Sequence, residues 1–238
     1  MKAIGFSTGA LARGDFGMAL RMMEGKGLSA VELSALRQDE LRRLVEQIEA
    51  LDLSAFKYIS FHAPSSIEIG FEQEALDLLE RVAEKGWPII VHPDAMREPR
   101  EWGRLGDRLC LENMDKRKLL GQTAENLAHF FEILGDASLC FDIGHARQVD
   151  PTMSEASAIL SRFEGRIQQL HVSEVNSQSR HDRLSFESVL AFQRVSHLLP
   201  ADAPVILESR VEEREIAEEI NRVREALAPE NQFALTGD

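Results

Sequence analysis

Along the chain, short apolar runs rich in β-branched or aromatic residues alternate with stretches in which apolar positions recur every three or four residues. The runs are AIGFST (3–8), AVELSAL (30–36), YISFHAP (58–64), PIIVHPD (88–94), RLCLENM (108–114), SLCFDIG (138–144), QQLHVSEV (168–175) and PVILES (204–209). Each has the length and content of a buried strand. Between and after them lie stretches such as DELRRLVEQIEALD (39–52), FEQEALDLLERVAEKG (71–86), TAENLAHFFEILG (123–135), FESVLAFQRVSHLL (186–199) and VEEREIAEEINRVREALA (211–228), whose spacing predicts amphipathic helices. Gly86 and Gly135 close two of these before the next strand. Eight strand-then-helix units in 238 residues predict one (β/α)8 TIM barrel as a single domain, 1–238, rather than a doubly wound sheet. The segment DAMREPREWGRLGD (94–107) keeps neither period and predicts a short helix or a loop over the barrel mouth.

Composition narrows the setting. No apolar stretch approaches the roughly 18–20 residues that cross a bilayer, and MKAIGFSTGALARG lacks the long apolar segment and cleavage site of a signal peptide, so a cytoplasmic protein is expected. Cys110 and Cys140 are too few for a disulfide framework and are expected as reduced core residues. A net charge of −13 repels phosphate backbones and anionic membranes. The expected partner is therefore a small carbohydrate-like molecule, not nucleic acid or membrane, and the oligomeric state is left open.

In a parallel barrel the C-terminal strand ends carry the chemistry. The third to eighth strands end in His62, His92, Glu112, Asp142, His171 and Glu208. Side chains two apart on a strand share a face, so Cys110 with Glu112, Cys140 with Asp142 and Ile206 with Glu208 each point one way. If that way is inward, three carboxylates and three imidazoles meet at one mouth, where the carboxylates repel unless a cation or protons intervene. A strand-end Asp or Glu also caps helices, so the inference of a divalent metal site rests on the joint pattern. His145 stands three residues after Asp142, with Gly144 expected to permit a sharp turn between them. His181 follows in the next loop, whereas His129 and His197 fall in helical patterns and are expected to be structural. Glu32, at the end of the second strand, receives no role from the pattern.

Read together and in this order, FHAP, VHP, LEN, FDIGH, LHVSE and LES resemble the xylose isomerase-like TIM barrels, a superfamily that includes sugar isomerases, epimerases and the endonuclease IV group. The resemblance runs from VELS to VILES. Its isomerase pattern implies one ion held by Glu112, Asp142, His171 and Glu208, with Glu112 and Glu208 as the catalytic pair that moves a proton beside the substrate carbonyl through an enediolate-like intermediate. HVSEVN is similar to the H-x-x-E-x-N of the epimerases and implies a substrate contact at Glu174. The endonuclease IV pattern implies His62, His92 and Glu112 around one ion, with Glu112 bridging to a second at Asp142, His171 and Glu208. It adds His145 and His181 around a third, where this chain carries Ser179 in place of an Asp.

Short βα loops and the acidic balance argue against a grip on DNA. The mouth-side Arg97, Arg100, Arg104, Arg180, Arg183 and Arg210 suffice for a small anion such as a sugar phosphate, and Arg210 is taken as a substrate contact. The sequence thus predicts first a metal-dependent isomerase or epimerase of a small sugar, sugar phosphate or hydroxy-carbonyl compound. The alternatives are a two-ion hydrolase of a phosphoester or abasic DNA, and a barrel that binds metal or metabolite without turnover. Zinc suits the His-rich subset and manganese, magnesium or cobalt the carboxylate-rich one. The isomerase reading makes no use of His62 and His92.

Overall fold

The computed structural model describes residues 2–228. Eight parallel strands close into a barrel: β1 (Ile4–Ser7), β2 (Ala30–Ser34), β3 (Tyr58–His62), β4 (Ile89–Val91), β5 (Leu109–Glu112), β6 (Ser138–Asp142), β7 (Ile167–Val172) and β10 (Val205–Leu207). They neighbour one another in the order β1-β10-β7-β6-β5-β4-β3-β2. The run QQLHVSEV is not one strand. It breaks at Ser173, and β8 (Glu174–Val175) pairs antiparallel with β9 (His181–Asp182), a small hairpin that carries His181 back to the barrel mouth.

Around the barrel run α1 (Thr8–Ala12), α2 (Phe16–Met23), α3 (Gln38–Gln47), α4 (Glu72–Ala83), α5 (Pro99–Trp102), α6 (Ala124–Ile133), α7 (Ile143–Val149), α8 (Ser154–Arg162), α9 (Phe186–Gln193) and α10 (Ile216–Ala226). The predicted helices are present, although those over 39–52 and 186–199 tighten into 3-10 turns at Ile48–Ala50 and Ser196–Leu198. The aperiodic segment 94–107 does not cover the mouth. It contains α5, and the fully buried Trp102 anchors it in the outer core, where its Nε1–H donates to Glu72 at 2.7 Å. None of the described helices is long and apolar enough to cross a membrane.

The two-residue period of each strand sorts side chains into two regions. Val31 and Leu33, Ile89 and Val91, Leu109 and Leu111, Leu139 and Phe141, Leu170 and Val172, and Val205 and Leu207 all join one large apolar sleeve between barrel and helices. Their alternates face the lumen, where Ile90, Cys110 and Cys140 form a small apolar cluster. Both cysteines are free and buried there. Much of the remaining lumen is polar and buried: Glu32, Ser34, Ser60, His62, Glu112, Asp142, Gln169 and His171.

Candidate metal centre

Parallel register brings the strand ends to one level. Asp142 lies beside His171, His171 beside Ile206, and His62 beside Ile90. His92 and Glu208 stand one residue past their strands, and His171 one residue before the end of its own. Candidate ligand atoms then fall into three sets, within each of which they lie 4.8 Å or less apart: His62, His92 and Glu112; Glu112, Asp142, His171 and Glu208; Asp142, His145 and His181. All eight residues named from the sequence as metal ligands are in these sets, which open into a cavity of about 910 Å³.

Glu112 is the hinge of the arrangement. Its Oε2 lies 3.1 Å from His62 Nε2 and 3.2 Å from His92 Nε2, while its Oε1 lies 3.2 Å from His171 Nδ1. His62 Nδ1 sits 2.6 Å from the Ala63 carbonyl, which only accepts, so Nδ1 carries the proton. In the neutral ring Nε2 then turns a lone pair toward a carboxylate, an arrangement that needs a proton or a cation between the two. His145 behaves alike: Nδ1 donates to the Asn113 carbonyl at 2.9 Å, and Nε2 is buried without a hydrogen-bond partner.

Asp142 has two duties. One oxygen, Oδ1, accepts from the His145 backbone N–H at 2.7 Å and so caps α7, while Oδ2 is buried without a hydrogen-bond partner. Asn113, absent from the sequence-based candidates, clamps the Asp142 backbone, donating to its carbonyl and accepting from its N–H, both at 2.8 Å. Gly144 is needed for closeness and not for a left-handed turn. It lies inside α7, and a Cβ there would come within 2.3 Å of the Ser173 carbonyl oxygen.

Charge within the cluster is strongly perturbed. Burial acts to raise the pKa of Glu112, but His171, His62 and His92 outweigh it and hold the carboxyl well below its ordinary value. Burial also pushes Glu208 up to about 8, helped by Glu112, Asp142 and Glu32 and opposed by His171. For His62, burial acts downward, and Glu112 and Glu32 overcome it to bring the ring to about 9. Such a cluster shares protons that a divalent cation replaces on binding. The unpartnered Asp142 Oδ2 and His145 Nε2, together with the facing acceptors at Glu112, fit a metal and no neutral ligand as well.

Other sequence-based candidates lie elsewhere. Glu174 does not line the cavity. Its carboxylate accepts from Ser185 N at 2.8 Å and Ser188 Oγ at 2.9 Å, so it secures the start of α9. Of the six arginines only Arg180 and Arg210 line the cavity. Arg104 pairs with Asp77 and Glu80, and Arg183 with Glu215 and Glu218. Arg117 and Lys118 also reach the mouth but are paired with Asp115 and Asp94 at 2.8 and 2.7 Å. His129 and His197 are exposed on the outer helices, away from the site. No protein-family model matches the chain, and a search of curated proteins finds no match.

Solved structures do match. Endonuclease IV from Thermus thermophilus aligns with a TM-score of 0.62 at 19% identity, over 94% of this chain and 98% of that one. The apo form of 3-keto-D-glucoside 4-epimerase from E. coli gives 0.61 at 14%, over 94% and 99%. A xylose isomerase domain protein from Alicyclobacillus acidocaldarius gives 0.65 at 13%, over 95% and 98%. At these identities the likeness establishes the fold alone, a closed (β/α)8 barrel.

Proposed function

We propose that the chain is a divalent-metal-dependent hydrolase of a small phosphoester, with two ions joined through Glu112. The observation that carries this reading is the split of one carboxylate between two imidazole groups, Oε2 toward His62 and His92 and Oε1 toward His171. His62, His92 and Glu112 would hold one ion, and Glu112, Asp142, His171 and Glu208 the other. Bound there, divalent ions supply Lewis acidity toward a phosphoryl oxygen and make water a nucleophile at neutral pH. The chain's own contribution is to hold its ligands at a fixed spacing and to receive the substrate's charge. Arg180 and Arg210 at the rim are the guanidiniums placed to meet an anionic group. Asp115 and Asp94 already neutralise Arg117 and Lys118 on another part of the rim. Burial, with Arg13 and Arg180 adding to it and Asp182 opposing, pushes the Arg210 pKa down.

The order of the two main expectations from sequence is thereby reversed. The isomerase reading keeps support from one feature: Glu112, Asp142, His171 and Glu208 form a complete ligand set without either strand-end histidine of β3 and β4. The test is to assay metal-supplemented protein on p-nitrophenyl phosphate, bis(p-nitrophenyl) phosphate and plasmid carrying abasic sites, beside carbonyl-shift assays on ketoses and ketose phosphates. Phosphoester cleavage lost in His62→Ala and His92→Ala is the expected result. Carbonyl-shift activity that survives both substitutions would restore the isomerase.

A further inference from the structure

Glu32 is fully buried in the middle of β2 and not at its end as the sequence suggested, one layer below the ligand ring, and the chemistry above does not use it. Its Oε2 accepts from Gln169 Nε2 at 2.8 Å and from Ser60 Oγ at 3.2 Å, and His171 Nε2 lies 2.9 Å from the same oxygen. An ionised carboxylate only accepts, so the last contact requires a proton on His171 Nε2. Nδ1 then keeps its lone pair, directed between Glu112 Oε1 at 3.2 Å and Glu208 Oε2 at 3.6 Å. Gln169 Nε2 also lies 2.9 Å from His171 Nε2. Donation along that line would leave the ring lone pair facing Glu32, two acceptors in contact, whereas the opposite tautomer lets both nitrogens donate to the carboxylate. The Gln169 amide is oriented in turn by Tyr58, whose hydroxyl donates to its oxygen at 2.7 Å.

We infer that Glu32 is a positioning residue that fixes His171 as an Nδ1 ligand, with Gln169 and Tyr58 holding Glu32 in line behind it. The inference rests on the metal centre proposed above. Burying a carboxylate costs several kcal/mol unless partners satisfy it, and barrel interiors are ordinarily filled by Val, Ile and Leu. The chain instead commits three strands, β2, β3 and β7, to a polar column that ends at one ligand. Carboxylates behind ligand histidines fix the ring and raise its basicity, and their loss weakens metal binding by about 10–100-fold.

The test is Co²⁺ titration of wild type, Glu32→Gln, Glu32→Asp and Tyr58→Phe, followed by visible absorption and competition with a chelator. Glu32→Gln is expected to weaken one class of Co²⁺ site by about 10–100-fold and to alter its spectrum. Glu32→Asp should recover part of the loss, and Tyr58→Phe should show a smaller loss of the same kind in a folded protein. Wild-type affinity and spectrum in Glu32→Gln and Tyr58→Phe would overturn the role of Glu32 alone. A wild type that binds no Co²⁺ would overturn the metal centre itself.

Discussion

The two faces of the same eight strands are built on opposite principles. Outward residues such as Leu111, Phe141 and Leu207 pack into the apolar sleeve, where each buried side chain contributes about 1.5–3 kcal/mol. Inward residues include Glu32, Glu112, Asp142 and Gln169, buried as deeply, whose desolvation opposes folding until partners or a cation compensate. The sleeve holds the barrel closed and the lumen uses that rigidity to crowd charges that would otherwise move apart. Stability and chemistry are thus assigned to alternate residues of one chain, and substitutions on the two faces should have separable consequences.

The sharpest separation is expected from Glu112→Gln, which touches both principal ligand sets. Activity should fall by more than about 100-fold, the upper range seen when only a residue behind a ligand is lost, and bound metal should drop by at least one equivalent, while thermal unfolding of chelated protein changes little. Glu208→Gln should show the same pattern through the second set alone. On the other face, Phe141→Ala is expected to cost about 3–5 kcal/mol by the cavity it leaves, measured by denaturant unfolding, with metal equivalents per folded chain unchanged. Loss of metal from Phe141→Ala at full folding would break the comparison. Chelation of wild type should lower its stability by about 4 kcal/mol if free metal stood near a thousand times its dissociation constant, and re-addition should restore it. The smallest effect belongs to His129→Gln on the exposed face of α6, within about 0.5 kcal/mol and with full metal content.

What could be read from the sequence follows from the range of the signal. The sleeve and the eight strands were legible because periods of two and three to four are local. His62, His92, Glu112, Asp142, His171 and Glu208 were legible because each marks the end of a strand and parallel strands end together. Glu32 was seen but not understood, since its partner His171 lies 139 residues away and only the closed barrel brings them to 2.9 Å. Arg104, Arg183 and Glu174 were misjudged for a similar reason: their partners come from other elements, or from the far side of the β8–β9 hairpin, and no spacing rule announces them. Gly144 carried a correct position with the wrong cause, because close approach to Ser173 depends on how α7 packs against the chain after β7.

The central claim, that Glu112 joins two ions in the lumen, is tested most directly by elemental analysis of purified protein before and after equilibration with zinc or manganese. The account predicts two or more equivalents per chain in wild type and at least one fewer in Glu112→Gln. A single equivalent in wild type, unchanged by His62→Ala and His92→Ala, would contradict it.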